Sequence, residues 1–233
     1  MKYAPALLGV GQLSGSGGSV TASHNRYGTY LRNRVIPVNP NSINQQGVRA
    51  VFGGLSQRWR TLTQSQRDAW SNLSPQVPRV NSLGQQYVLS GNALYIGVNG
   101  LADAVGDATS DSAPALDSPP VITSLTVSPS IAGLGGIAVT YTATGGSANN
   151  NYIIRATAPR SPGKDYISRS ELKQIQVVAG NVASPIDIEA AYEAVFGSGW
   201  EGMLGMEIAV ELFPVSENHL PGVGTTAQGT IAA

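Results

Sequence analysis

The sequence predicts an α+β chain of several domains: an extended β-hairpin arm over 1–38, short helices in an anchoring region over 39–105, a linker over 106–120, and an all-β sandwich with one inserted helix over 121–233. Three observations carry this. Charged residues are only 12% against 42% hydrophobic, with 28 Gly and 14 Pro; that composition favours turns, strands and extended segments over a helical enzyme core. A 3.6-residue apolar period is strongest in the first half. Short alternating runs between Gly, Pro and Asn turns fill the second. At 233 residues there is room for two small domains, or one with a long arm.

In the arm, Ser14-Gly15-Ser16-Gly17-Gly18 is a flexible breaker. Ser19–Ser23 and Thr29–Val35 are β-prone runs around a turn, the pattern of a hairpin. A hairpin alone is marginal in water, so the arm needs something to pair with or lie on.

The helices come next. Asn39-Pro40 and Ser42–Gln45 both offer a helix start. Val48, Val51, Phe52, Leu55, Trp59 and Leu62 then fall on one helical face, with Gly53-Gly54 weakening its middle. Thr63–Gln66 is a capping box for a second helix through Ala69, Trp70 and Leu73, ending near Pro75. Val48, Phe52, Trp59 and Trp70 are therefore expected to form the core of the helical unit. Gln85–Leu89 reads as a short strand, and Ser90 caps a further helix through Leu101. Gly106–Pro120 reads as a linker.

Beyond it, Val121–Val127, Gly136–Thr144, Tyr152–Ala158, Leu172–Val178, Glu207–Val215 and Thr225–Ala232 are strand-like, while Ile186–Phe196 suits one helix turned onto the sheet. Strands of that number and length match the size of an immunoglobulin-like or fibronectin type III-like sandwich.

The net charge of zero hides a division. Residues 1–100 hold nine Lys/Arg and one acid, Asp68, for +8, whereas 101–233 hold five against thirteen acids, for −8. Eight of the nine N-terminal cations are Arg, suited to carboxylate or phosphate. They are spread singly, without a dense basic block or a stacking-aromatic motif, which ranks protein docking above nucleic acid. Without cysteine there are no disulfides or thiolate metal sites. No apolar run reaches the roughly 18–20 residues of a membrane span. The opening Met1–Gly11 has no convincing cleavage site after it and reads as mature sequence.

Catalytic patterns are sparse. His24 and His219, the two histidines, fall in separate predicted domains. Asp103, Asp107 and Asp111 recur every four residues, unlike an EF-hand, whose ligands recur every two. Glu207 with Glu211, and Glu189 with Glu193, would share a face, and solvated carboxylates explain both pairs. Gly9-Val10-Gly11 lacks the third Gly of a dinucleotide fingerprint, and no phosphate loop occurs. The expectation is a non-enzymatic chain with no catalytic residue, metal or cofactor.

The string Ser14–Arg34, then Pro37-Val38-Asn39-Pro40 and Gln45–Arg49, resembles the opening of a group of uncharacterised tailed-bacteriophage and prophage virion proteins. Leu55–Trp59 with Leu62-Thr63, Gln66–Trp70, and a Leu-Gly-Gln to Leu-Ser-Gly-Asn stretch over 83–92 continue the likeness, which covers about residues 8–105. The resemblance implies a virion structural role and carries over no binding residues. With it, the sequence leads to a capsid decoration or cement protein in the virion, anchored by Arg26, Tyr27, Tyr30, Arg32 and Arg34. Its expected partners are the major capsid protein or other virion proteins and further copies of itself; nucleic acid and membrane are not expected. Three alternatives stay open: a tail, head–tail joining or fibre component; a carbohydrate-binding sandwich using Tyr141, Tyr152, Tyr166 and Trp200; and a hairpin that packs on the chain's own helices.

Overall fold

The computed structural model describes residues 14–25, 28–36, 38–81, 83–130, 136–147, 149–180 and 182–232. Among them the chain is mixed α+β, with four α-helices and several antiparallel sheets. It divides into two compact units, Met1–Gln46 and Gly47–Ala233.

In the first unit, β1 (Gly15–Gly17), β2 (Val20–Asn25) and β3 (Gly28–Asn33) form one antiparallel sheet in that order. Gly18, at φ +59°, takes the left-handed turn between β1 and β2 that a side chain would resist. The register sets Thr21 opposite Arg32, Ala22 opposite Leu31 and Ser23 opposite Tyr30. Among the residues of this unit whose burial is described, only Ala22 is buried, at 4% exposure. Val35, Ile36 and Val38 are exposed.

Helix α1 (Ile43–Thr61) starts in the first unit and continues into the second, unbroken through Gly53-Gly54. In the second unit Thr63 caps α2 (Gln64–Leu73) by the box its spacing predicts: its hydroxyl accepts from the Gln66 amide, and the Gln66 side chain accepts from the Thr63 amide at 2.9 Å. A short ribbon of β4 (Arg79–Val80) and β5 (Gln86–Tyr87) leads to α3 (Gly91–Val105), capped by Ser90 and stopped at Gly106, φ +88°. Leu55, Leu62, Trp70, Leu73, Leu94, Tyr95 and Val98 form the core of these helices. The Tyr95 ring lies 5.3 Å from both Trp59 and Trp70, edge-on to the latter.

Trp70 is wholly buried and Trp59 partly so, but Val48 is 71% exposed and Phe52 58%. Their assignment to the helical core is therefore corrected. Burial along α1 starts with Val51 and Leu55, because the core it faces holds residues only from its later turns. The apolar stripe is continuous in sequence; the surface covering it is not.

Two sheets follow. Strands β6 (Val121–Pro129), β7 (Ile137–Thr144) and β10 (Ile186–Asp187) lie in the order β10-β7-β6; β8 (Asn151–Ala156), β9 (Lys173–Ala179), β11 (Glu207–Val215) and β12 (Thr225–Thr230) lie in the order β12-β11-β8-β9. Alternation sends Ile208, Val210 and Leu212 of β11 into a core with Ile154 of β8 and Ile137 and Val139 of β7. Helix α4 (Glu189–Phe196) adds Tyr192, whose hydroxyl donates to the Thr157 carbonyl at 2.9 Å and whose burial pushes its pKa up. Gly229 of β12 lies against the Val127 carbonyl of β6, leaving no room for a Cβ.

Residues 106–120 carry no helix or strand, yet they are bonded along their length. Trp70 Nε1 donates to the Asp111 carbonyl at 3.0 Å, and the Asp111 carboxylate meets Arg58 at 2.6 Å. Asn99 accepts from the Ser110 amide at 2.7 Å. Asp117 accepts from the Ser216 hydroxyl at 2.7 Å and the Asn218 amide at 3.1 Å, shaping the loop from which Leu220 enters the helical core. Helices and sheets thereby make one unit.

Trp70→Ala should destabilise the protein by about 3–5 kcal/mol, whereas Val48→Ala should stay within about 0.5 kcal/mol, both read from urea unfolding. Asp117→Ala should cost about 1–3 kcal/mol and speed amide hydrogen exchange at Asn218.

Candidate functional site

The anchoring residues singled out from the sequence fall in the first unit. Alternation along β3 puts Tyr30 and Arg32 on one face, across from Ser23 and Thr21 of β2. Arg32 and Arg34 are exposed and Tyr30 is half-buried. Arg34 follows the strand, its amide donating to the Ser19 carbonyl at 2.7 Å. Arg26 and Tyr27 lie outside the described residues. Residues 1–46 hold four cations, Lys2, Arg26, Arg32 and Arg34, and no acid. Among the described residues the sheet's edges are β1 and β3, each paired on one side; such edges present backbone groups to an incoming strand.

The histidines and aspartates that could suggest catalysis do not converge among the described residues. His24 is exposed on β2, while His219 Nε2 lies 2.9 Å from Asp107 in the second unit. Asp107 also accepts from Asn151, Asp111 pairs with Arg58, and Asp103 is exposed. The three aspartates thus serve different neighbours. Glu207 and Glu211 share a face of β11, but Glu211, 7% exposed, is bound by Arg155 at 2.7 Å. The guanidinium of Arg155 in turn lies over the Phe213 ring, 5.1 Å from its centre.

Glu189, Glu193 and Glu201 bring carboxylate oxygens within 4.8 Å of one another. Burial first, then the negative charges of Asp187, Glu193 and Glu201, push the Glu189 carboxyl up. This cluster is a site of mutual repulsion at α4. Tyr141, Tyr152, Tyr166 and Trp200 form no common exposed platform: Trp200 and Tyr152 are buried, Tyr141 stacks edge-on against Tyr152 at 5.2 Å, and Tyr166 is exposed. Among the described residues no helix is long and apolar enough to cross a membrane.

The Arg155–Glu211 and Arg58–Asp111 pairs were not foreseen. Their partners are 56 and 53 residues apart, and no local spacing signals such a meeting. Glu211→Ala, which strands the Arg155 guanidinium, should cost about 1–3 kcal/mol. Replacing Arg155 and Glu211 together with Met should recover part of that loss in a double-mutant cycle on the urea midpoint. Comparison with protein-family models, curated proteins and solved structures finds no match to this chain.

Proposed function

We propose that the chain is a non-enzymatic structural protein of a tailed-bacteriophage particle, a decoration or cement protein that binds the capsid shell through its basic N-terminal region. The supporting observation is the make-up of the first unit: four cations, no acid, and one buried side chain among its residues whose burial is described. A sheet that buries so little is marginal in water and gains stability from a surface it lies on. Its charge selects an acidic surface, and its strand edges, unpaired among the described residues, suit strand addition. On this reading β1–β3 act as a hairpin arm, and the partners are the major capsid protein or other virion proteins and neighbouring copies of the chain. Tyr30, Arg32 and Arg34, with Arg26 and Tyr27, supply the contacts.

The β-rich residues from 121 onward are read as an immunoglobulin-like sandwich of the fibronectin type III kind. Supporting this, the first, second and fifth of its strands share one sheet, and the third, fourth, sixth and seventh share the other. Such a sandwich hosts many roles, so the functional reading rests on the first unit.

The test is addition of the purified full chain to shells of the phage that lack it. Saturable binding and a raised shell melting temperature are expected. Arg32→Ala with Arg34→Ala should weaken binding several-fold at low salt, about 0.2–1 kcal/mol per exposed charge, and flatten its salt dependence. Absence of binding to intact shells sinks the cement reading, and electron microscopy placing the chain only on the tail would move it to a tail role.

A further inference from the structure

A groove of about 890 Å³ in the second unit has no part in the proposed anchoring. The β4–β5 ribbon lines it through Arg79 and Tyr87. The face of β8 and β11 turned away from the core contributes Arg155, Glu211 and Phe213, and Arg169 completes its charges.

The groove holds three guanidinium groups and one carboxylate, and Glu211 is already bound by Arg155. No acid among the described residues pairs with Arg79 or Arg169. Arg79 is half-buried, and its Nε is shut off from solvent without a hydrogen-bond partner. Desolvation accordingly pulls the Arg79 pKa down. A desolvated cation without a counter-charge is unfavourable, and a carboxylate placed beside it relieves the cost. The contrast with the surrounding unit is sharp: residues 47–233 carry ten Lys/Arg against fourteen acids, yet the groove is cationic.

Apolar side chains argue for the shape of the occupant. Val80, Tyr87, Val121 and Val223 line the groove and are exposed. A compact anion such as phosphate would leave them in water. An extended peptide, whose side chains alternate direction, can offer carboxylates to the arginines and aliphatic groups to the valines. All fourteen acids of the chain belong to its second, folded unit, and the 46 residues of the first have none. The occupant argued for here is accordingly an acidic segment of another protein.

We propose that this groove binds an extended peptide segment of a partner protein in which acidic and aliphatic residues alternate, with Arg79 and Arg169 receiving its carboxylates. The inference is independent of capsid anchoring.

The experiment titrates the full chain with a terminally blocked octapeptide of alternating Glu and Val. Binding is followed by calorimetry and by amide NMR shifts at Val80, Val223 and Thr225. Saturable binding with shifts at those amides is expected. Arg79→Gln should weaken it at least tenfold without lowering the urea midpoint, since the removed cation has no partner to strand. Arg169→Glu, at an exposed position, should do the same if Arg79→Gln perturbs folding. Arg32→Ala with Arg34→Ala should leave peptide affinity unchanged, which keeps this test separate from the capsid one. Three results would each overturn the proposal: equal binding of the Gln-Val octapeptide, no loss of affinity in either groove variant, or no binding at all. Displacement by inorganic phosphate or by a sugar acid at equal concentration would replace the peptide site with a general anion or glycan site.

Discussion

The second unit depends on how residues 106–120 are held. A connection without regular structure ordinarily leaves the elements on either side free to move. Here Asp111 takes hydrogen bonds from the helical side, Asp117 takes them from the loop after β11, and that loop inserts Leu220 among the helices. Each aspartate accepts from groups that would otherwise be poorly satisfied, and Leu220 fills space that the helices leave. The helical core is thus completed by a residue more than a hundred positions further along the chain.

Legibility from sequence followed the range of the interactions. The Thr63–Gln66 capping box, the Ser90 cap and the strand positions from 121 onward, apart from β10 in a run read as helix, were readable because their causes lie within a few residues. For the first two helices, period and identity gave the helices and the buried Trp70 of α2 but misjudged Val48 and Phe52 of α1. Periodicity says which residues share a face, not how far along the helix a partner extends. The pinning of 106–120 was illegible for the same reason: Gly, Pro, Ser and Asp compose a flexible tether as readily as a bonded strap. Of the candidate site, the cationic character of the N-terminal residues was plain from counting, whereas the convergence of Arg79, Arg155 and Arg169 on one groove needs the fold.

Charge is distributed by unit as well as by half. The first 46 residues have cations only, and the rest of the chain has an acidic excess interrupted by the cationic groove. Most acids of the second unit that lie near cations are paired internally: Glu211 with Arg155, Asp111 with Arg58, and Glu171 with Lys164 and Arg160. Charges left without partners are therefore informative in a chain where only 12% of residues are charged. In a well-charged surface an arginine without an acidic partner is ordinary; here Arg32, Arg79 and Arg169, which pair with no acid among the described residues, stand out.

The tryptophans have a practical consequence. Trp59 and Trp70 belong to the helical core and Trp200 to the core between the sheets, where it meets Tyr192 edge-on. With no other indole in the chain, each core carries its own intrinsic fluorophore. Emission from variants that keep only one group or the other reports optically whether both cores loosen together.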